Sequence, residues 1–229
     1  MIRDPRTPHA DPRLRALAEL AVIVTTAPWS LSRAHHARAH EAGLSDDDLL
    51  HAIVLSSYFG HLNRIADAVA VPLDYIVQLP VPATDPTVPA LEPSPVAITG
   101  KPALDLARRP ATAAAIAAWR TYMFDRDAPL TRRQRTVIAR WVSSYLGDGS
   151  ISNPADLTAN PIDDALRSLA ELVTLAPWQL SDASFTQLRK HGLDDVALFD
   201  ACAVASSAGM FSRVTVALAA LGQPPGARQ

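Results

Sequence analysis

The spacing of apolar residues along the chain predicts helices joined by short polar turns. Residues 12–26 place Leu14, Leu17 and Leu20 on one stripe, a spacing typical of an α-helix that packs on one side. Pro28 should end this helix, because proline has no backbone N–H to donate and disfavours helical geometry in the residue before it. The first element is therefore expected to be a helix that stops just before Pro28.

The next stretch carries the start and stop signals of two more helices. Ser32 can cap a short helix that ends at Gly43, since glycine readily adopts the left-handed backbone that follows a helix end. Ser45 or Asp46, followed by further acidic residues, then begins a long apolar helix that should run to about Val69. The N-terminal part is thus predicted to be a unit of three helices.

The same signals return near the C-terminus. When the sequence is shifted by 149 positions, residues 27–70 lie on residues 176–219 without a gap, and roughly a third of the overlaid positions are identical. The matching anchors are residues 27–32 with 176–181, Gly43 with Gly192, Ser57 with Ser206, Gly60 with Gly209, and Arg64 with Arg213. We infer an internal repeat whose second long helix should run from about Asp195 to Leu221.

Proline dominates the segment between the two units. Residues 76–100 carry a proline every few positions and no apolar period, so we predict an extended arm or linker that lies along a surface. Three helical stretches should follow, at about 102–109, 111–124 and 131–146, the last capped by Thr131. No segment has the alternating pattern of a strand.

These patterns predict an all-α protein. Its parts would be an N-terminal helical unit in residues 1–75, the proline-rich linker or arm in 76–100, and the central helices plus the second unit in 101–229. The two units should share one compact, duplicated domain. Their apolar faces, together with the arm, predict a homo-oligomer.

The composition narrows the classes of protein. Hydrophobic residues make up 48% of the chain, charged residues 19%, and the formal net charge is −2, so nothing favours nucleic acid or an anionic membrane as a partner. The N-terminus lacks the apolar core of a signal peptide, and the longest apolar runs are only about ten residues, which predicts a cytoplasmic protein. Abundant arginine and alanine with few lysines are typical of a GC-rich bacterial genome.

Two phrases of the sequence carry a family resemblance. They are AGLSDDDLLHAIVLSSYFGHLNRIADAVAVPLD at 42–74 and PLTRRQRTVIARWVSSYLG at 129–147. Both resemble the alkylhydroperoxidase D / carboxymuconolactone decarboxylase-like superfamily, and in particular its peroxidase-related members. The resemblance implies the helical fold of that superfamily. It also implies a Cys-x-x-Cys-x-x-x-His element with an upstream glutamate, in which the thiolate is the nucleophile.

The redox element itself is missing from this chain. In the central segment, Thr136 stands near the place of the family's glutamate, and the places of its two cysteines fall near Asp148 and Ile151. In the first unit the cysteine places fall on Pro28 and Leu31, and in the second unit on Pro177 and Leu180. The single cysteine, Cys202, overlays Ile53 in an apolar helix and should be an inert core residue that allows no intrachain disulfide. Dithiol peroxidase chemistry is therefore excluded.

One position of the family pattern survives in the first unit. His35 stands eight residues before Gly43, as the family's histidine does relative to its glycine, and Glu19 could correspond to the upstream glutamate. A Glu–His pair across two packed helices could move protons near neutral pH without a thiol. The alternative is that His35 is a partly exposed surface histidine in the polar stretch RAHHARAH.

Other polar and aromatic residues of the first unit are candidates for binding a substrate. They are Trp29, His36, Tyr58, His61, Asn63, Arg64 and Asp67. Two of them have an alternative interpretation: Arg64, kept as Arg213 in the second unit, could bridge helix ends, and Trp29, kept as Trp178, could be a packing anchor. His36 and His40 lie one turn apart, but spacing fixes no acidic partner, so we expect neither a metal nor another cofactor.

Two functions remain open from the sequence. The first is a cofactor-independent acid–base enzyme, of lyase, isomerase or decarboxylase type, that uses His35 and Glu19 on a small organic substrate. The second is a non-catalytic helical oligomer that binds a ligand or a protein partner. Polar groups concentrated in one unit favour the enzyme, and the loss of the redox motif favours the binder.

Overall fold

The computed structural model describes residues 11–71, 96, 104–152, 154 and 160–224 of the 229-residue chain. Over these ranges the protein is all-α, as predicted, and the only β-type pairing is an isolated bridge between Val96 and Asp148. The helices are α1 (Pro12–Thr26), α2 (Arg33–Glu41), α3 (Asp46–Ala68), α4 (Pro110–Phe124), α5 (Arg132–Tyr145), α6 (Asp163–Leu175), α7 (Asp182–Lys190) and α8 (Asp195–Ala220). Short 3-10 turns lie at Pro28–Ser30, Leu106–Arg108 and Pro177–Gln179.

Local sequence explains where these helices begin and end. The Ser45 hydroxyl accepts from the backbone N–H of Asp48 while the Asp48 carboxylate accepts from the backbone N–H of Ser45, so two otherwise unpaired donors at the start of α3 are satisfied. Thr131 and Gln134 form the same reciprocal cap on α5. Gly43 follows the end of α2 with a φ of +82°, a backbone conformation that glycine adopts without steric cost.

The two segments related by the 149-residue shift have the same element order. Each contains a helix, a 3-10 turn, a short helix and a long helix, and from the turn onward the elements begin at positions 149 residues apart. Ala27 (φ −149°, ψ 62°) and Ala176 (φ −145°, ψ 56°) end the first helix of each segment in nearly the same conformation. The glycines after the short helices agree as well, with φ +82° at Gly43 and +86° at Gly192.

The core forms around the longest helix. Helix α8 packs against α3, α5 and α6, and most of its side chains are buried. One continuous cluster of buried apolar residues includes Leu50 of α3, Val137 of α5, Leu169 of α6 and Val204 of α8. Both repeated segments therefore contribute to the same core, and they meet where their long helices contact each other.

Helix α8 is also the one described helix that is long and apolar enough to cross a membrane by length and composition. In this structure 89% of its most apolar 18-residue window is buried inside the protein. A core helix satisfies the same length and composition test as a membrane span, and the apolar surface of α8 is already covered by its neighbours.

A buried ion pair fixes α5 against α8. Arg135 on α5 is fully buried, and its guanidinium pairs with the Asp200 carboxylate on α8. The remaining guanidinium protons are donated to backbone carbonyl oxygens, including those of Met123 at 2.9 Å and Leu130 at 3.2 Å. A buried charge is tolerated only with such complete pairing, so this contact specifies how α4, α5 and α8 fit together.

Two predictions for the fold were wrong. The helix expected at about 102–109 is only the short 3-10 turn Leu106–Arg108 in the described part of that segment. Trp29 is buried as a packing anchor, with 4% of its surface exposed, but Trp178 is 71% exposed. The turn of Trp29 packs on α8, whereas the turn of Trp178 touches α3 and α6 while its indole remains in solvent. The predicted arm at 76–100 lies outside the described residues, apart from Val96.

Candidate functional site

His35 and Glu19, the predicted acid–base pair, line the same small cavity between α1 and α2. Arg38 also lines it, and the rest of its walls are apolar and include Leu31 of the turn and Leu49 of α3. His35 Nδ1 lies 2.9 Å from the Ser32 hydroxyl, which fixes the orientation of the ring. The Glu19 carboxylate accepts a hydrogen bond from Arg38 at 2.7 Å. Sequence reasoning therefore placed both residues at one location.

The size of this cavity limits what it can hold. Its volume is about 20 Å³, which is enough for one water molecule. An organic substrate needs a pocket of roughly 300 Å³ or more. In this conformation the His35–Glu19 cavity therefore admits water but not a small organic molecule.

The seven predicted substrate-binding residues do not form one site. Trp29 and His61 are buried, Tyr58 is exposed at 40%, and Asn63 and Asp67 lie on the solvent side of α3. Asn63 and Asp67 are thus on a different side of α3 from its buried residues Ser57, His61 and Ala68. Arg64 is directed toward helix ends, and His36 lies on the face of α2 that approaches the start of α3.

Arg64 has the contacts that a helix-bridging residue needs. Its guanidinium donates to the backbone carbonyl oxygen of Thr174, in the last turn of α6, at 3.3 Å, and to that of Gly60 at 2.9 Å. Burial is the main cause that lowers its pKa below the ordinary arginine value. Carbonyl oxygens at a helix C-terminus have no partner within the helix, and a cation compensates for them. These contacts agree with the bridging interpretation of Arg64.

His61 is enclosed by aromatic rings and by α8. Its Nδ1 lies 2.7 Å from the Ser206 hydroxyl, and the ring of Trp119 approaches it edge to face at 4.7 Å between centroids. Burial lowers the pKa of His61 below its ordinary value, since an imidazolium would lose its hydration there. A neutral histidine of this kind joins α3, α4 and α8 in the core.

The single thiol of the chain is buried in the core. Cys202 is 2% exposed, and burial raises its pKa to about 12. At such a pKa the reactive thiolate is scarce at neutral pH. The expected core position of Cys202 is therefore confirmed, and its inertness stays a prediction.

A larger concave site lies between α4 and α5. The groove has a volume of about 610 Å³, within the range of small-molecule sites. Its described lining includes Arg120 and Phe124 of α4, Thr136 and Arg140 of α5, and residues 150–152 of the following loop. Helices α4 and α5 both pack on α8, and residues 150–152 after α5 complete the described lining of the groove.

The chemistry of the groove combines positive charge, hydroxyls and an apolar floor. Arg120 and Arg140 are half-buried, and the Arg120 guanidinium lies 5.7 Å from the centre of the Phe211 ring. Ser150, Ser152 and Thr136 offer hydroxyl groups, and Phe124 offers an apolar surface. One carboxylate, that of Asp125, also lines it. The excess of cationic groups suits a ligand that carries a carboxylate beside an apolar part.

Sequence reasoning missed this groove although part of the signal was present. Thr136 and Ile151, which the resemblance places near the family's glutamate and second cysteine, both line it. The sequence does not indicate that Arg120 and Arg140 share a site, because they lie on two separate helices, 20 positions apart. Only the packing of α4 on α5 brings the two arginines to one concave surface.

Among the described residues, one group has the donor types of a metal site: His36, His40 and Asp46. It lies at the corner between α2 and α3.

Comparisons with known proteins gave no match. No protein-family model matches the chain, and neither the curated proteins nor the solved structures contain a significant match.

Proposed function

We propose that this protein is a redox-inactive member of the alkylhydroperoxidase D / carboxymuconolactone decarboxylase-like superfamily that binds a small organic carboxylate in the groove between α4 and α5. The observation that carries the proposal is the groove itself, with Arg120 and Arg140 both on its lining. It is about 610 Å³ in volume, whereas the cavity of His35 and Glu19 is about 20 Å³. Of the two functions that the sequence left open, ligand binding thus has the better geometric support.

The charges of the groove favour an anionic ligand. Both arginines are half-buried, so their attraction for a carboxylate is less screened than it would be on an open surface. A guanidinium can donate two parallel hydrogen bonds to one carboxylate. The neighbouring hydroxyls of Ser152 and Thr136 can complete its hydrogen bonding, and Phe124 can pack against the apolar part of the molecule.

The family resemblance supports the same location. The resemblance places the family's glutamate near Thr136 and its two cysteines near Asp148 and Ile151. Thr136 and Ile151 line the groove, whereas Asp148 is buried and accepts a hydrogen bond from Ser150, which lines it. A ligand site could persist after the redox chemistry has been lost. The resemblance contributes the location, and the arginines of this chain contribute the preference for a carboxylate.

Ligand-observed NMR with matched pairs of small molecules tests the proposal. Benzoate and cyclohexanecarboxylate are compared with their uncharged amides on the full-length chain. We expect the acids to bind about tenfold or more tightly than the amides, since a hydrogen bond to a charged group contributes about 1.5–3 kcal/mol. No binding of either acid, or equal binding of acids and amides, would contradict the proposal.

Variants locate the binding. Arg120→Gln and Arg140→Gln each remove one positive charge from the groove and should weaken benzoate binding. Lys190→Gln is the matched control, because it removes one charge from an exposed position at the end of α7. If all three variants bind benzoate alike, the ligand does not occupy this groove.

An acid–base enzyme is a second candidate, and one observation favours it. His35 and Glu19 line a common cavity, and that cavity is large enough for the single water molecule that a proton transfer could use. The test is NMR-detected exchange of the carbon-bound protons of pyruvate in D2O. The enzyme hypothesis predicts exchange that is lost in His35→Ala with unchanged helical content. Exchange at the uncatalysed rate with the wild-type chain would exclude this reaction.

Self-association and a cytoplasmic location belong to the proposal. Helix α3 exposes Leu55, Tyr58, Phe59 and Leu62 at between 40% and 53%, and their spacing puts them on one side of the helix. Such a stripe is commonly covered by another subunit. Sedimentation velocity should detect a species larger than the 24.5 kDa monomer.

The burial of the apolar helix α8 is consistent with a protein of the cytoplasm.

A further inference from the structure

Three ligand-type atoms converge where α2 approaches the start of α3. His36 Nε2 lies 2.9 Å from Asp46 Oδ1, His40 Nε2 lies 3.0 Å from the same oxygen, and the two nitrogens are 3.1 Å apart. The two histidines occupy successive turns of α2, and Asp46 is the first residue of α3. The tight turn at residues 42–45 brings these elements together.

Hydrogen bonds alone satisfy this arrangement poorly. The three distances form an almost equilateral triangle, so the two nitrogens approach Asp46 Oδ1 from directions only about 60° apart, whereas the lone pairs of a carboxylate oxygen diverge much more widely. If both nitrogens donate to the oxygen, their own 3.1 Å contact brings two N–H groups against each other. A cation at the centre of the three atoms would instead attract all of them.

The spacing suits a first-row divalent metal. Bonds of about 2.1 Å to nitrogen and oxygen place neighbouring ligands about 3.0 Å apart at right angles and about 3.4 Å apart in a tetrahedron. The observed separations of 2.9–3.1 Å match three adjacent positions of a six-coordinate ion. Two imidazoles and one carboxylate on one face are a known donor set for such metals, with the remaining positions open to water.

The surroundings hold the carboxylate in place. Arg108 donates to the other oxygen, Asp46 Oδ2, at 3.1 Å, and lies 3.5 Å from the Asp47 carboxylate. The contact of Arg108 with Oδ2 orients the Asp46 carboxylate so that Oδ1 faces the imidazoles. Residues that contact a metal ligand from outside commonly orient it in this way. His40 lies in the last turn of α2, whose negative end favours a cation, whereas the positive N-terminus of α3 opposes one. The carboxylates of Asp46 and Asp47 offset the charge of Arg108.

The second unit shows what the same corner looks like without metal-ligand residues. At the positions equivalent to His36, His40 and Asp46 it has Phe185, Arg189 and Asp195. There Arg189 forms an ordinary ion pair with Asp195, at 2.6 Å. The second unit therefore forms this corner without a histidine pair, and the two histidines of the first unit are not required for its folding.

We propose that His36, His40 and Asp46 form a binding site for a divalent first-row transition metal ion, with the remaining coordination positions open to solvent. The side chains are partly exposed, at 22%, 43% and 29%, so an ion can enter without rearrangement of the core. A bound ion would clamp the end of α2 to the start of α3. The site is separate from the α4–α5 groove and does not depend on the function proposed for it.

Isothermal titration of the untagged, chelator-treated chain with Zn²⁺ tests the site, and Co²⁺ provides a visible absorption spectrum that reports nitrogen and oxygen ligands. We expect one equivalent of either ion to bind. The double variant His36→Phe with His40→Arg gives the first unit the side chains of the second, so it should fold and keep a corner ion pair. Its affinity should fall by more than the roughly 10–100-fold that changes in outer partners cost.

Two further variants complete the test. Asp46→Asn should also weaken Zn²⁺ binding, because an amide oxygen is a poorer ligand than a carboxylate. His191→Ala is the control: this exposed histidine follows α7 and should leave the titration unchanged. Absence of stoichiometric binding by the wild-type chain, or equal affinity of wild type and the double variant, would overturn the proposal.

Discussion

Arg64 and Arg213 reach across to each other's helical unit. Arg64 of the first unit donates to the carbonyl oxygen of Thr174 in the second, at 3.3 Å, and Arg213 of the second unit donates to that of Thr25 in the first, at 3.1 Å. The arginines are 149 positions apart, and so are the threonines. The two contacts therefore correspond to each other under the 149-residue shift.

The contacts of the two arginines predict that they contribute unequally to the free energy of unfolding. Arg213 donates to Thr25, Thr174 and Gly209 and is 2% exposed, whereas Arg64 is only half-buried. Replacing Arg213 by alanine removes the side-chain donor of the Thr25 carbonyl oxygen, at a cost of about 1–3 kcal/mol, whereas the Thr174 carbonyl keeps its bond from Arg64. Urea unfolding should show a loss of about 1–3 kcal/mol for Arg213→Ala and a smaller loss for Arg64→Ala.

Arg38→Ala is a suitable control for that comparison. Arg38 pairs with Glu19 on the surface, with both side chains 50% exposed, and such pairs contribute about 0–1 kcal/mol. Equal losses for Arg213→Ala and Arg38→Ala would mean that the buried bridge has no special importance.

Acid should destabilise the protein through His61. Burial lowers the pKa of this histidine in the folded chain, so the unfolded chain binds the proton more readily. Stability is then present at neutral pH and is lost as the pH falls through the unfolded value, about 6.5, toward the lower folded one, by at most about 1.4 kcal/mol per pH unit. Urea unfolding at pH 7.5 and 5.5 should show this loss.

His61→Met isolates the contribution, because methionine occupies the equivalent position of the second unit as Met210. The variant loses the bond to Ser206 at every pH, but the part of the acid sensitivity that belongs to His61 should disappear. An identical difference between the two pH values in wild type and variant would show that His61 does not titrate on unfolding.

Cys202 should resist thiol reagents while the chain is folded. With a pKa of about 12, only about one thiol in ten thousand is ionised at pH 8, and the side chain is 2% exposed. A disulfide reagent such as DTNB is expected to label the chain slowly in buffer and completely in urea. Fast labelling of the folded chain, or peroxide reduction that is lost in Cys202→Ala, would show that a reactive thiol exists after all.

Helix boundaries were predictable because local side chains set them. Gly43 and Gly192 stand after the short helices, Ser45 and Thr131 cap the next ones, and each acts through atoms within three or four residues. Trp178 was mispredicted for the opposite reason. Its sequence neighbours match those of Trp29, but burial depends on which distant helix lies over the indole, and that information is not local.

In the candidate site, too, contacts that follow from nearby sequence were predictable, and contacts between distant elements were not. His35 and Glu19 line one cavity, as their positions on two helices of the first unit led us to expect, and their acid–base role stays a prediction. Asp46 was not paired with His36 and His40, because the turn between α2 and α3 reverses the chain by an amount that spacing does not specify. The α4–α5 groove depends on two helices from the central segment and a loop, so neither arginine could be recognised as a ligand-binding residue from sequence alone.

The position of the ligand is tested most directly by two-dimensional ¹H–¹⁵N NMR of the labelled chain titrated with benzoate. Binding in the groove between α4 and α5 predicts that the largest shifts occur at Arg120, Thr136 and Arg140 and at residues 150–152. Shifts concentrated at Glu19, His35 and Leu49, or no saturable shifts at all, would contradict the account.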